Sequence, residues 1–180
     1  MFETTSAIII HCQKYSDKAV ILHTYTRREG RQNFMVYGGN KKSSLKGLIE
    51  TPLSIVEITY DNKPGRDMHS LHSIAPLFLP THEDNLNRLV RMFMSEVIYK
   101  TLRQPMADER VYDFLERSIK EGTNPQPLAK EEVENDHLSA ISNGIEDWMM
   151  QLSALLGYGG EWLDEWKELN SLDMIREVLG

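Results

Sequence analysis

The hydrophobic pattern changes its period near residues 76–80, and this change constrains the fold more than any other feature of the sequence. Before it, apolar runs that favour strands are separated by turn-forming residues. These runs are "TSAIIIHC", "AVILHTYT", "QNFMVYG", "LSIVEITYD" and "MHSLHSIAPL". Five strand candidates joined by short turns predict a small β-barrel or β-sandwich.

After residue 80, the apolar residues recur at helical spacing. The first helix is predicted to have an inner face formed by Leu86, Val90, Phe93 and Val97, and a wider stripe is completed by Leu89, Met94, Ile98 and Leu102. Asp108 is a candidate N-cap for a second helix, and Gly122 is a candidate stop. A third helix precedes "GYGG", and "EWLDEWKELNSLDMIREVL" predicts one or two short closing helices. The pattern predicts an α+β fold class, with a β domain at residues 1–79 and an all-α helical domain at residues 80–180.

The charge is divided unequally between these two parts. Residues 1–80 hold 10 Lys and Arg against 7 Asp and Glu, a net charge of +3. Residues 81–180 hold 10 against 20, a net charge of −10, and the two values sum to the −7 of the whole chain. A polyanion is therefore expected to bind the first part, while the acidic helices keep the chain soluble.

The stretch "YTRREGRQNFMVYGGNKKSS" concentrates positive charge and aromatic rings around one predicted hairpin. Binding of single-stranded nucleic acid needs cations along the phosphates and flat rings that stack on bases. Tyr25, Phe34 and Tyr37 are candidates for stacking. The candidate phosphate-binding residues are Arg27, Arg28, Arg31, Lys41, Lys42 and Lys46. The alternative is that Phe34 belongs to the core, the tyrosines are half-buried, and the charges form an ordinary solvated turn.

No catalytic or cofactor-binding motif is present, so the chain is not expected to be an enzyme or to carry a cofactor. Cys12 directly follows His11, and neighbouring strand residues point to opposite faces, so the two cannot form a nucleophile–base pair. Cys12 is expected to be a small buried residue. His69 and His72 are three apart on a strand and also point to opposite faces, so no metal site is expected.

The ordered set of motifs resembles the RecO family of bacterial recombination-mediator proteins. The resemblance begins in "SAIIIHCQKYSDKAVILHTYTRREGRQNFMVYGGNKKSS" and continues through "TPLSIVEITY", "PGRDMHSLHSIAPL", "RMFMSEVIYKTL", "VYDFLERSI" and "WMMQLSALLGYG". It covers most of residues 5–159. Many members carry a four-cysteine zinc knuckle in the helical domain, whereas this chain has one cysteine in all.

The resemblance implies that the five-stranded module is an OB-fold followed by a helical domain that docks protein partners. It implies a non-enzymatic mediator that binds single- and double-stranded DNA, anneals complementary strands and helps to load a recombinase in recombinational DNA repair. The implied partners are a RecR-type protein and the acidic, apolar C-terminal tail of single-strand-binding protein. By position, the basic hairpin residues and Lys46 fall where the family carries its DNA-contact surface.

The first predicted helix carries cations that stand out in an acidic region, and they are candidates for receiving that tail: Arg88, Arg91, Lys100 and Arg103. The alternative is that they pair with neighbouring acids, as Glu96 does with Lys100 one helical turn away. A rival function is a protein-interaction adaptor whose barrel binds an acidic partner tail without touching DNA. A third is an RNA-binding module of cold-shock type.

The sequence shows no signal peptide and no apolar run of the roughly 20 residues that cross a bilayer. The chain is therefore expected to act in the cytoplasm, associated with the nucleoid through DNA, and not in a membrane.

Overall fold

The computed structural model describes residues 2–37, 47–48, 50–63, 65–66, 68–80, 85–103, 107–121 and 134–158, with the backbone alone at 134–140. Its elements occur in the order in which the sequence predicts them. The described strands are β1 (Phe2–Ser16), β2 (Ala19–Thr26), β3 (Gly30–Tyr37), β4 (Ile55–Asp61) and β5 (His69–Phe78). The described helices are α1 (Asn85–Thr101), α2 (Glu109–Glu121) and α3 (Glu134–Leu155).

The strands close into a barrel in the order β1-β2-β3-β5-β4. β3 and β5 pair in parallel, and the other neighbours are antiparallel. β1 is long enough to pair with two partners, since its first half lies against β4 and its second half against β2. The pairing of β1 with β2 shifts register at Ile9/His11 and at Lys14/Ser16. Such β-bulges bend a strand. The predicted five-stranded OB-type barrel followed by helices, and the α+β fold class, are confirmed.

Alternate residues of the strands point into the barrel and form its core. Phe34 and Leu22 face each other across β2 and β3, and both are fully buried. The core also contains Ala7, Ile9, Val36, Leu48, Val56, Ile58 and Tyr60. Phe34 is therefore a core residue, as the alternative interpretation of the sequence held, and its ring is not exposed to stack on a base. Cys12 is half-buried at the edge of this core and less enclosed than expected.

The turn between β2 and β3 depends on Gly30 and Thr26. Gly30 has a φ of 69°, which a residue with a side chain adopts at a cost. The Thr26 hydroxyl accepts a hydrogen bond from the Glu29 amide and donates one to the Gly30 carbonyl. These bonds fix the three-residue loop at 27–29 and hence the register of the hairpin.

The inner face of α1 contains Val90, Met94 and Ile98 of the predicted stripe, and its centre lies about one residue further along than predicted. Its buried residues are Val90, Arg91, Met94, Ser95 and Ile98, whereas Leu86, Phe93 and Val97 are half-buried. Arg91 and Ser95 are polar residues that the apolar pattern of the helix would place on a different face, but both lie on the buried one. Both polar side chains are buried because backbone carbonyls accept their hydrogen bonds: Ser95 donates to Ile10, and Arg91 to Pro80 at 3.2 Å.

The ends of α2 and α3 follow the sequence signals that the described residues include. Asp108 caps α2, because its carboxylate accepts a hydrogen bond from the Arg110 amide at 2.9 Å. Gly157, with a φ of 80°, follows α3, and its amide donates to the Ala154 carbonyl. Thr81, Asp84, Gly122 and the predicted closing helices lie outside the described residues.

The chain divides into two compact units, Met1–Glu116 and Arg117–Gly180. The first contains the barrel, α1 and the beginning of α2. The second contains α3, whose buried face carries Ile141, Ile145, Trp148 and Leu152. The units thus differ from the predicted domains 1–79 and 80–180 in where they divide the chain. Arg27 and Ser95 illustrate why the first helices belong to the first unit, since both join the barrel to a helix by hydrogen bonds.

Candidate nucleic-acid interface

The basic residues of the stretch are divided between the two ends of the β2–β3 hairpin. The register pairs Thr26 with Gly30 at the turn and Ala19 with Tyr37 at the opposite end. Seven residue steps at about 3.3 Å each place these ends roughly 23 Å apart. Arg27 and Arg28 therefore lie at one end. Lys41, Lys42 and Lys46 follow Tyr37 in the sequence and lie outside the described residues.

Arg27 is surrounded by carboxylates of α2. Its guanidinium lies 2.6 Å from Asp113, 2.9 Å from Glu116 and 3.6 Å from Glu109. It also lies over the ring of Tyr112, 4.4 Å from the centroid. Three carboxylates around one cation leave little positive charge for a phosphate, so Arg27 joins the barrel to α2 in this structure. Arg28, the next residue, is exposed and has no ion pair within the described residues.

Replacing Arg27 with alanine is expected to lower the free energy of unfolding by about 1–2 kcal/mol. Hydrogen bonds to charged groups contribute roughly 1.5–3 kcal/mol, and the partial exposure of this cluster reduces that value. The matched control is Arg28→Ala, which is expected to change stability by less than about 0.5 kcal/mol. Urea unfolding of both variants measures the difference, and equal stabilities would show that the carboxylates do not hold Arg27.

Tyr25 and Arg31 contact α1 and the described residues at the two ends of the connection between α1 and α2. Tyr25 is 2% exposed, and its hydroxyl accepts a hydrogen bond from the Asp108 amide at 3.2 Å. Arg31 lies over the Tyr99 ring at 4.6 Å and approaches the Leu102 carbonyl at 3.5 Å. The buried ring of Tyr25 is not accessible to a base in this structure. Of the predicted DNA-contact residues described here, Arg28 and Tyr37 are exposed, and Arg31 is half-buried.

The end of the barrel at the β1–β2 turn exposes two aromatic rings. Tyr37 is 72% exposed and Tyr15 is 66% exposed. Ser16 and Tyr37 each pair with Ala19, so β1 and β3 flank β2 at this level with their backbones about 10 Å apart. Lys14 and Lys18 are exposed beside Tyr15, and Lys14 pairs with Asp17 at 2.9 Å. We call Lys14, Tyr15, Lys18 and Tyr37 the turn-end surface.

Sequence reasoning missed Tyr15, Lys14 and Lys18, although "KYSDK" carries the same mixture of cations and an aromatic ring as the basic hairpin. The signal was weak because the turn is short and contains an acid. The segment that holds Lys41, Lys42 and Lys46 begins directly after Tyr37. The turn-end surface and that segment are therefore adjacent along the chain, whereas Arg27 and Arg28 lie at the other end of the hairpin.

His23 lies on the outer face of β2 within a polar cluster. Its Nδ1 lies 2.7 Å from Asn33 Oδ1, and its Nε2 lies 3.3 Å from Gln13 Oε1. Burial lowers the pKa of His23, and the nearby charges of Arg31 and His11 lower it further, while the hydrogen bond to Asn33 opposes this. The neutral imidazole is thus favoured in the folded protein.

The lowered pKa of His23 predicts a loss of stability in mild acid. Below about pH 6.5, the ordinary histidine pKa, the unfolded chain binds the proton more readily than the folded one, so stability falls as the pH falls. We expect the melting temperature of the wild type relative to His23→Gln to decrease between pH 7.5 and 5.5. Thermal melts at both values test this, and a constant difference would contradict it.

The predicted tail-binding cations of α1 occupy different environments. Arg91 is buried, and Lys100 pairs with Glu96 at 3.2 Å, as the alternative interpretation held. Arg103 is exposed and donates to the Lys100 carbonyl at 2.9 Å. Arg88 is exposed beside Leu89 and Met92, which are 41% and 53% exposed. The structure therefore brings only Arg88 next to exposed apolar side chains of α1.

Within the described ranges, no group of three or more His, Cys, Asp or Glu residues could hold a metal ion. His69 is buried near Phe34 and Tyr60, whereas His72 is exposed beside Phe2. No helix in the described part of the chain has an apolar stretch long enough to cross a bilayer.

Residues 1–78 match the family model for the N terminal of recombination protein O. A DNA repair protein RecO of Porphyromonas gingivalis is 31% identical over 124 residues, covering 66% of this chain and 51% of the relative. The DNA repair protein RecO of Phocaeicola vulgatus is 28% identical over 123 residues, covering 67% and 51%. That of Flavobacterium johnsoniae is 28% identical over 158 residues, covering 86% and 61%.

The chain spans about half the length of the first two of these relatives. The family match lies on the barrel, where the topology is that of a five-stranded OB-type fold. The resemblance carried by the sequence motifs is confirmed: the N-terminal domain of this chain belongs to the RecO family.

Proposed function

We propose that the protein is a DNA-binding recombination mediator in recombinational DNA repair. It binds single-stranded DNA, and also double-stranded DNA, anneals complementary strands and helps to load a recombinase. Its action is non-covalent and takes place in the cytoplasm at the nucleoid. The proposal is supported by relatives named DNA repair protein RecO and by the RecO-type barrel.

The observation that carries the proposal is the turn-end surface. It presents two exposed tyrosines and two lysines at one end of an OB-type barrel, next in sequence to Lys41 and Lys42. Single-strand binding combines cations along the backbone with rings on which bases stack. Surface loops between OB-fold strands are a common place for such binding. The proposed DNA site therefore includes Tyr15, Tyr37, Lys14 and Lys18, together with Lys41, Lys42 and Lys46. Arg28, at the other end of the hairpin, is a separate proposed phosphate contact.

The experiment that tests DNA binding is a titration of fluorescent single-stranded DNA at about 0.05 M and about 0.2 M salt. Over this range, a protein that contacts several phosphates loses much of its affinity. Affinity should fall steeply with salt and depend little on base sequence. A duplex and an RNA of equal sequence separate DNA binding from a cold-shock-type preference for RNA. No binding at the lower salt concentration would refute the proposal and favour the adaptor.

The protein-interaction role is proposed for α1. Arg88, Leu89 and Met92 combine a cation with exposed apolar side chains, which suits the acidic, apolar C-terminal tail of single-strand-binding protein. Arg103 lies near the C-terminal end of the same helix and is also exposed. Arg91 is not included, because it is buried and bonded to Pro80. A RecR-type protein is a further proposed partner.

Replacing Arg88 with glutamate is expected to weaken binding of the tail peptide by about fivefold, since a charged pair at a partly exposed interface contributes about 1 kcal/mol. The same variant should leave oligonucleotide affinity unchanged. Lys41→Glu/Lys42→Glu should do the reverse. Fluorescence anisotropy with both ligands measures this crossed pattern, and unchanged peptide affinity in a folded Arg88→Glu variant would place the tail elsewhere.

A further inference from the structure

Four planar side chains lie in contact on the outer face of the barrel, where β1, β2 and β3 meet α1. His11 and His23 are paired across β1 and β2, with ring centroids 5.9 Å apart and planes at 29°. The Tyr99 ring of α1 lies 5.1 Å from His11, tilted by 46°, and meets His23 edge-on at 5.3 Å and 72°. The Arg31 guanidinium covers Tyr99 at 4.6 Å. We call His11, His23, Tyr99 and Arg31 the planar stack.

Polar side chains of the neighbouring strands hold the planar stack in place. Asn33 on β3 and Gln13 on β1 contact the two ring nitrogens of His23 at 2.7 Å and 3.3 Å. Arg31 is fixed between Tyr99 and the Leu102 carbonyl. The close contact with Asn33 restrains the His23 ring, which gives His11 a supported surface to stack on.

His11 is the outermost member of the planar stack. It is exposed, whereas His23, Tyr99 and Arg31 are half-buried. Within the described residues, no hydrogen bond holds its ring nitrogens. The near-parallel His23 ring supports the exposed His11 ring, so a planar group from solution can stack on His11. The positive charge of Arg31 and the exposed amide of Gln13 belong to the same neighbourhood.

We propose that the planar stack is a nucleobase-stacking site for single-stranded DNA, with the base resting on His11. This inference rests on the proposed function and adds a second contact to it. Tyr15 lies four residues further along β1, about 13 Å away at 3.3 Å per residue. One single strand can therefore run from the turn-end surface to the planar stack. Stacking accepts any base, which matches the expected lack of sequence preference.

The alternative is that the planar stack only attaches α1 to the barrel. In that case the histidine rings only fill space, and their removal lowers stability without changing DNA affinity. The two readings differ in what a ring substitution does. A base that rests on His11 needs a flat ring there, whereas helix attachment depends mainly on Tyr99 and the more buried His23.

The test compares His11→Ala and His11→Phe with His72→Ala, a matched control in which an exposed histidine is removed from β5. The ligands are an oligothymidylate and an abasic oligomer of the same length. His11→Ala should bind oligothymidylate roughly fivefold more weakly, the lower end expected for one stacked base, while abasic binding stays the same. His11→Phe should restore affinity, and His72→Ala should match the wild type. Equal oligothymidylate affinity of His11→Ala and the wild type would overturn the inference.

A second measurement uses the wild-type protein and so does not depend on a variant that folds. The protein is mixed with an oligonucleotide that contains 5-iodouracil, the complex is irradiated, and the cross-linked protein is digested to find the residue that carries the oligonucleotide. A cross-link to His11 or Tyr99 supports the inference, and cross-links confined to Tyr15 and Tyr37 overturn it. If the wild type binds no oligonucleotide at low salt, the proposed function itself fails. If it binds but His11→Ala is unchanged, only the planar stack is excluded.

Discussion

Replacing Phe34 with alanine is expected to lower the free energy of unfolding by about 3–5 kcal/mol, the range for removing a buried phenyl ring. Phe34 is fully buried in the barrel core. Its ring meets Tyr60 edge-on at 5.1 Å and lies 6.1 Å from His69. The truncation leaves a cavity between these rings and Leu22, which faces Phe34 from β2.

Urea unfolding followed by circular dichroism measures this loss. The matched control is Tyr37→Ala, three residues along the same strand, where the ring is 72% exposed. Tyr37→Ala should change stability by less than about 0.5 kcal/mol and weaken single-strand binding instead. If Phe34→Ala does not fold, Phe34→Leu supplies a milder loss of packing. A folded Phe34 variant with unchanged stability and weaker DNA binding would indicate that Phe34 contacts DNA.

Reversing the charge of Lys41 and Lys42 together is expected to weaken single-stranded DNA binding about 25-fold at 0.1 M salt. Each phosphate contact contributes about 0.7 to the slope of log affinity against log salt concentration, so two lost contacts reduce the slope by about 1.4. Since 0.1 M lies one logarithmic unit below 1 M, where phosphate contacts contribute little, the loss of affinity at 0.1 M is about 1.4 logarithmic units. The Lys41→Glu/Lys42→Glu variant should lose this amount for all base sequences alike, because phosphates carry no sequence information.

Titrations at several salt concentrations measure the slope. The charge-matched control is Arg117→Glu/Lys120→Glu on α2, which makes the same change in net charge at residues that are not part of the proposed DNA site. An equal loss in both variants would indicate that net charge governs affinity. An unchanged slope for Lys41→Glu/Lys42→Glu would show that these lysines do not contact phosphates.

Local sequence signals predicted the strands and helices well, because strand and helix periods depend on residues close together in the chain. β2 was predicted with its observed bounds of Ala19–Thr26. Asp108 was also identified from the sequence, because an N-cap restricts the residue types that fit. The OB-type arrangement needed more than these signals, since alternation alone left barrel and sandwich open.

The face of α1 shows where local reasoning was insufficient. Polar residues such as Ser95 and Arg91 are usually placed toward solvent. In the structure, carbonyls of Ile10 and Pro80 accept their hydrogen bonds, so both side chains are buried. These acceptors belong to β1 and to the segment after β5, so the pattern of residues within the helix does not predict them.

The amino-acid sequence by itself determined the barrel strands, the helical region after residue 80, the unequal charge and the family resemblance. Only the tertiary structure decided which cations and rings remain available. Arg27 meets Glu116, 89 positions later, and Tyr25 meets Asp108, 83 positions later. Neighbours in the sequence, Arg27 and Arg28, consequently differ in environment. The physical reason is that charge neutralisation and burial depend on distance in space, which the fold sets between residues that are far apart along the chain.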